Sequence, residues 1–465
     1  MSTTGAASVA TASTRRGPIQ RLMQGLGYGL LGLPLAFIAL PLYVLLPHHY
    51  ADRHAVPLAA LGLLLLLVRL ADALLDPALG RLADALLDRA GRRAWWVIGA
   101  CAALMAAGFW ALFNAPTGWT LAPLLVWCGV GLVLTYLAYS LAGITHQAWG
   151  ARLGGGDLAQ ARRVAWREGA ALLGVMVASV LPSLAGLDVT AAVLAMLLLA
   201  GWWALRGVPG VPVEGAPGTL AAPPSAVAGR VDLVTPSPRA ASPWSLPGFR
   251  PLLAVYMLNG IASAVPATLV LFFVRDRLQA PAWEGAFLAI YFAAGALSLP
   301  LWLRLVALQG LVTTWLAGML LAVGTFAGAA LLGAGDVAGF VAVCAASGLA
   351  LGADLAVPGA LLAGIARRGA GAEGARVEGG AGEGACFGWW NAATKLNLAL
   401  SAGLVLPALD LAGYRPGVTD PAALTALGLT YAVLPCLLKL AAAALLWRWA
   451  AAIHPSTVRP ASAHP

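Results

Sequence analysis

Residues 61–82 read LGLLLLLVRLADALLDPALGRL, a stretch apolar enough to span a bilayer yet carrying Arg69, Asp72 and Asp76 within it. The three charges are spaced i, i+3, i+7, so on a helix they share one narrow arc. Each charge at mid-membrane depth costs roughly 2.5–3.5 kcal/mol on insertion scales. A fold carries that cost only where the charge has a partner or faces a wet cavity, and such residues mark ion or substrate pathways.

The rest of the chain has the same character. Of 465 residues, 60% are hydrophobic and 10% charged, less than half the charge of an average soluble domain. Twelve apolar stretches long enough to cross ~30 Å of hydrocarbon are marked at 27–49, 57–80, 94–114, 119–148, 167–186, 189–207, 249–274, 282–303, 311–333, 336–365, 385–409 and 421–447. The predicted class is an all-α membrane protein built as two six-helix bundles.

Net charge is +9, but its placement speaks for topology rather than nucleic acid. Arg53, Arg275, Arg277 and Arg415 fall in one set of loops, and Arg69, Lys395 and Lys439 inside spans. The remaining Lys and Arg fall in the tails, the other loops and the adjoining span edges (Arg167, Arg206, Arg250), which predicts both termini in the cytosol and a multi-pass inner-membrane protein. Cys101, Cys128, Cys344, Cys386 and Cys436 sit in or at apolar spans without a CxxC or Cys/His cluster. That pattern indicates neither a disulfide framework nor a metal site.

Five segments are expected: a disordered tail (1–22), an N-terminal bundle (23–207), a Pro/Gly/Ala/Ser-rich flexible linker (208–247), a C-terminal bundle (248–450) and a second tail (451–465). The bundles resemble each other. Asp52-Arg53-(x3)-Pro57 recurs as Asp276-Arg277-(x3)-Pro281, and Pro77-(x3)-Arg81-Leu82 as Pro300-(x3)-Arg304-Leu305, at offsets of 224 and 223. Transporters built from repeats bind substrate between halves that rock about it. At an offset of 223, Arg69, Asp72 and Asp76 correspond to Phe292, Gly295 and Leu299. The second copy builds the same helix uncharged, so folding alone does not require these charges here, and function is the better of the available explanations.

Two carboxylates one turn apart can share a monovalent cation or a proton, with Arg69 neutralising them when the site is empty. Lys395 lies about ten residues, or ~15 Å, inside the eleventh span, too deep to snorkel, so it needs a carboxylate. Competition between Lys395 and a cation for Asp72 or Asp76 would link ion binding to movement of the halves. A permanent ion-pair lock is the structural alternative. Asp354 is followed by Pro358, which leaves its carbonyl unpaired, and is read as either a site residue or a buried hydrogen-bonding group. Tyr28, Tyr139, Thr145, His146, Asn259, Trp389, Trp390 and Asn391 are candidate cavity-lining groups. Asp84, Asp88, Arg89, Arg92 and Arg93 form a loop after the second span, read as a positive-inside loop or as a gate latch.

The segment Gly80-Arg-Leu-Ala-Asp84…Arg89-Ala-Gly91-Arg92-Arg93 resembles the G-x-L-A-D…R-x-G-R-R signature of the major facilitator superfamily. The R-x-x-D-A-x-x-D-P run from Arg69 to Pro77 is similar to that of its glycoside–pentoside–hexuronide:cation symporters. Further matches are Tyr28-Gly29, Tyr256…Asn259-Gly260-Ile261, Trp283-Glu284-Gly285, Gly352-Ala353-Asp354 and Gly388…Thr394-Lys395. The resemblance implies a twelve-helix alternating-access carrier coupling a small organic solute to Na⁺ or H⁺, with Asp72 and Asp76 holding the cation and Lys395 as counter-charge; a monomer without cofactor is the separate expectation. Two sugar-gripping aspartates of that family align with Ala36 and Thr145, and the acidic segment after the tenth span is replaced by Ala366-Arg367-Arg368 and a glycine-rich loop. A less polar or amphipathic solute is therefore in view beside a sugar. A proton-driven exporter is a second reading. An intramembrane enzyme is a remote third, because apart from His48 and His49 at the very end of the first span, only His146 of the six histidines lies within a span.

Overall fold

A computed structural model describes residues 18–89, 91–208, 242–369 and 382–454. The tail 1–17, most of the linker (209–241), the glycine-rich loop 370–381 and the tail from 455 lie outside the described residues. So do the side chains of Arg89 and Arg92. No strand occurs among the described residues.

The first half comprises α1 (Pro18–Gly29), α2 (Gly32–Leu40), α3 (Leu46–His54), α4 (Leu58–Arg89), α5 (Gly91–Phe113), α6 (Leu121–Arg152) and α7 (Asp157–Ala204). The second comprises α8 (Phe249–Phe272), α9 (Glu284–Phe326), α10 (Val337–Gly369), α11 (Glu383–Leu411), α12 (Pro421–Gly428), α13 (Leu434–Arg448) and the short α14 (Ala450–Ile453). Nine stretches among the described residues are long and apolar enough to cross a membrane. The α4 helix, which carries Arg69, Asp72 and Asp76 within its apolar run, is not counted among them.

A straight helix of 48 residues, as in α7, would run about 72 Å, over twice the hydrocarbon thickness. It breaks at Gly186 (φ 82), and the 43-residue α9 breaks likewise at Gly310 (φ 80). Only glycine takes that region without a Cβ penalty. No loop separates the spans read at 167–186 and 189–207; one residue does that work. The repeat reappears in the backbone. The non-glycine residues with positive φ among the described ones are Ala55 (51°) and Gln279 (53°), 224 positions apart and each two residues before a proline.

Within the first half α7 packs on α1, α2 and α5, and α6 on α4 and α5. Within the second, α9 packs on α10, and α8 on α11 and α13. Between halves α11 lies on α4 and α6, while α7 lies on α9 and α10. One apolar core runs through these crossings, from Phe109 and Trp149 to Leu362 and Trp390. A separate core of Phe273, Phe287, Phe340 and Tyr431 belongs to the second half alone. The halves are thus fused where the ends of α4, α6 and α10 that carry Arg81, Arg152, Arg367 and Arg368 meet the start of α11, here called the basic end. Leu74, Leu184, Leu297, Leu308 and Trp447 point outward, each more than 70% exposed. A membrane protein presents such a surface to lipid.

Candidate functional site

The site begins with a close approach of two helices. A Cβ built on Gly388 of α11 would fall 2.5 Å from the Asp76 carbonyl oxygen and 3.1 Å from the Cα atoms of Pro77 and Gly80. Glycine at 388 lets the α11 backbone rest against α4, as small residues do where membrane helices touch. Seven residues on, about two turns, Lys395 emerges on the same face. Its Nζ lies 2.7 Å from Asp72 Oδ2 and 2.8 Å from Asp76 Oδ2, and donates to Asp76 Oδ1 and Ser140 Oγ, each at 2.9 Å. Ser140 Oγ donates to Asp72 Oδ1 at 2.9 Å. Asp76 is wholly buried and Asp72 nearly so. Two carboxylates share one ammonium, so the cluster carries one negative charge in excess when all three groups are ionised.

Arg69 does not join this cluster. Among the described residues the ion pairs of Asp72 and Asp76 run to Lys395, and the Arg69 guanidinium lies over Tyr43 (4.5 Å to the ring centre) and Tyr136 (5.5 Å). Helical side chains lean toward the N-terminus, which carries Arg69 away from Asp72 one turn later. Its expected role as alternate neutraliser is corrected accordingly.

Ser140 opens onto a cavity of about 350 Å³ between the halves, whose wall includes Ala36, Tyr139, His146, Gln147, Arg167 and Glu168 from the first half. Tyr256, Asp354, Trp390, Asn391 and Thr394 face them from the second. Trp390 stacks on Tyr256 (ring centres 3.6 Å apart), Tyr256 Oη shares a 2.7 Å hydrogen bond with Thr394, and Gln147 donates to Asn391 at 3.5 Å. Of the candidate lining residues, Tyr139, His146, Asp354, Trp390 and Asn391 are in this wall.

Tyr28, Thr145, Asn259 and Trp389 are not. Tyr28 Oη donates to the His146 carbonyl, and His146 Nε2 lies 2.9 Å from the Tyr28 carbonyl, where α1 breaks before α2. Thr145 is wholly buried with its hydroxyl unpartnered. Trp389 packs edge-on against Trp244, on a different face of α11 from its neighbour Trp390. Adjacent helical residues point about 100° apart, so one of the tryptophan pair had to face away.

Two features escaped the sequence reading. Arg167 was counted outside the spans because the fifth was started there; α7 begins at Asp157, so Arg167 stands ten residues, about 15 Å, along it. It pairs with Glu168 in the cavity wall. Lys439, which sequence places only inside a span, donates from its Nζ to Asp354 Oδ2 (2.7 Å), Asn259 Oδ1 (2.7 Å) and Ser263 Oγ (3.2 Å). Trp315 Nε1 (2.8 Å) and Asn259 Nδ2 (3.2 Å) donate to Asp354 Oδ1. The available signal was scarcity: Lys395 and Lys439 are the only lysines in the sequence.

At the basic end, the expected loop after Gly80 is helical through Arg89, and Asp84 and Asp88 stand on the last turns of α4. Arg152 of α6 binds Asp84 (2.7 Å), Asp88 (2.7 Å) and Glu383 (3.0 Å). Asp84 also accepts from the backbone N–H groups of Gly384 and Ala385, both at 2.8 Å. A carboxylate of the first half thus caps a helix N-terminus of the second, satisfying donors that have no intrahelical partner. Arg93 is exposed.

A family model described as MFS/sugar transport protein matches residues 25–205 and 245–450. No curated protein matches the chain. Among solved structures, a bacterial homologue of the iron transporter ferroportin in an outward-facing state aligns at a TM-score of 0.65 and 16% identity. It covers 93% of this chain and 99% of that one. The human organic anion transporter MFSD10 (TETRAN) aligns at 0.60 and 17% identity, covering 91% and 100%. The E. coli fucose:proton symporter aligns at 0.58 and 12%, covering 91% and 98%. At these identities the likeness is one of fold.

Proposed function

Because the chain belongs to the MFS/sugar transport protein family, we propose that it is a secondary active carrier that couples uptake of a small organic solute to Na⁺ or H⁺. The observation that carries this reading is Lys395 Nζ held between Asp72 and Asp76 beside a cavity that both halves line. A cation entering the carboxylate pair competes with that ammonium and removes the excess negative charge. Because Lys395 belongs to the second half and the aspartates to the first, its release loosens one half from the other. Solute bound in the cavity and cation bound at Asp72/Asp76 then strengthen each other by the same factor.

The proposed topology counts α4 as a crossing and lets the chain turn at Gly186 and Gly310, which with the other spans makes twelve crossings. Both termini then lie in the cytosol of an inner-membrane monomer with no cofactor. In that frame the fused basic end is the cytosolic gate, and the cavity faces outward. Asp84, Asp88 and Arg152 are its latch.

The test is uptake into proteoliposomes. Asp72→Asn abolishes gradient-driven uptake while leaving inserted protein at wild-type amounts; unchanged uptake overturns the assignment. A second reading, a proton-driven exporter or carrier of an amphipathic molecule, is favoured by a second cavity of about 510 Å³ lined largely by apolar side chains. Flux against, rather than with, an inward cation gradient would select it.

A further inference from the structure

The second cavity lies mainly within the second half, walled by Phe287, Tyr291, Phe292, Phe326 and Tyr431. Its volume falls in the ~300–1,000 Å³ range of pockets that hold drug-sized ligands. The charged groups in its wall are Asp354 and Lys439, and Asp354 also lines the polar cavity between the halves. The two spaces therefore meet at one carboxylate.

The hydrogen-bond inventory at that junction decides what it can accept. Lys439 has three N–H donors, and all three are placed, on Asp354, Asn259 and Ser263. A carboxylate offers about four acceptor positions, and Asp354 receives three donors, from Lys439, Trp315 and Asn259. The Lys439–Asp354 pair has an acceptor to spare and no donor; the donors left beside it, the Ser263 hydroxyl and one Asn259 N–H, are uncharged. Its charges also cancel, as do those of Arg167 and Glu168 in the polar wall. An ionised ligand group would be desolvated there without a counter-charge, a cost that buried ions meet only by pairing. The one uncompensated charge nearby, at Asp72/Asp76, belongs to the coupling cation.

We propose that the two cavities form one binding site for an uncharged amphiphile. A hydroxyl or amide of its head donates to Asp354 and the head fills the polar cavity, while its aromatic or aliphatic body occupies the cavity of the second half. This rests on the carrier reading and names its solute class.

The test uses purified protein in nanodiscs and four probes: methyl β-glucoside, phenyl β-glucoside, phenyl β-glucuronide and phenethylamine. The phenyl glucoside binds about tenfold or more tighter than the methyl glucoside, as burial of a ring requires, and tighter than both charged probes. Ala267 lines the apolar cavity and is itself exposed. Ala267→Phe fills that space and removes the gain from the phenyl ring, so that the two glucosides bind with nearly equal affinity. Equal affinity for the two glucosides, a gain that survives Ala267→Phe, tighter binding of a charged probe, or no binding by any probe overturns the proposal. So does a co-purifying phospholipid that Ala267→Phe displaces without any solute effect. Stabilisation by Na⁺, Li⁺ or low pH without solute, lost in Asp72→Asn, reports the cation site separately, so either idea can fail alone.

Discussion

Lys395 and Asp76 meet across the boundary between the two halves, ammonium to carboxylate at 2.8–2.9 Å, with Asp76 wholly buried. Removing one partner of a buried pair leaves an uncompensated charge and costs about 3–5 kcal/mol. Lys395→Gln is therefore expected to be destabilised in cation-free buffer and to regain most of that loss when the coupling cation is added. Thermal unfolding with and without Na⁺, and across pH, measures it. A cation response no larger than that of the wild type contradicts competition for one site.

The Arg152 cluster makes a separate prediction. Arg152 is about 6% exposed and holds Asp84, Asp88 and Glu383 together. In Arg152→Gln the basic end opens more often, and buried Cys386, three residues after Glu383, reacts faster with a thiol reagent. Mass-spectrometric mapping of the five cysteines reads this site by site. Unchanged protection of Cys386 removes Arg152 from the gate.

Backbone proximity predicts a difference between two glycines on one helix. Gly388→Ala forces a methyl against the Asp76 carbonyl and the Cα of Gly80, none of which a rotamer change relieves, and overpacking of this kind costs about 1–3 kcal/mol. At Gly403 a Cβ meets nothing within 4 Å. Gly403→Ala is expected to be neutral or to gain up to about 1 kcal/mol from helix propensity. Paired melting curves decide, and equal shifts refute the contact between α4 and α11.

His454, beyond the last span, lies 2.8 Å from Asp157 at the start of α7. The hydrogen bond to Asp157 raises its pKa above the ordinary 6.5, against opposing desolvation and the nearby Arg368. With the folded value raised, the contribution to stability is complete below pH 6.5 and is lost as pH climbs through the folded value. Wild-type melting temperature is expected to fall over that interval relative to His454→Gln; parallel pH profiles rule out the contribution.

Much of the site was legible because burial leaves few choices. A lysine too deep to reach water must find a carboxylate, and Asp72 and Asp76 stood in the first half without partners of their own. The pairing of Lys439 with Asp354 followed from the same logic but was missed, because helix periodicity does not say which faces of α10 and α13 meet. Arg69 was misassigned because adjacency on an arc ignores the direction in which the side chain leans. The fifth span was started late, which hid Arg167, because a charged first turn reads as loop when its helix runs on into water.

Composition and apolar run length alone determined that this chain is helical and membrane-embedded, and two short matches at nearly one offset pointed to a duplication. Only the tertiary structure decided which charges neutralise one another, which of Trp389 and Trp390 faces the cavity, and where the halves touch. Those outcomes depend on close approach at Gly80, Gly384 and Gly388 and on bends at Gly186 and Gly310. They are relations between helices far apart in the chain, which no local spacing encodes.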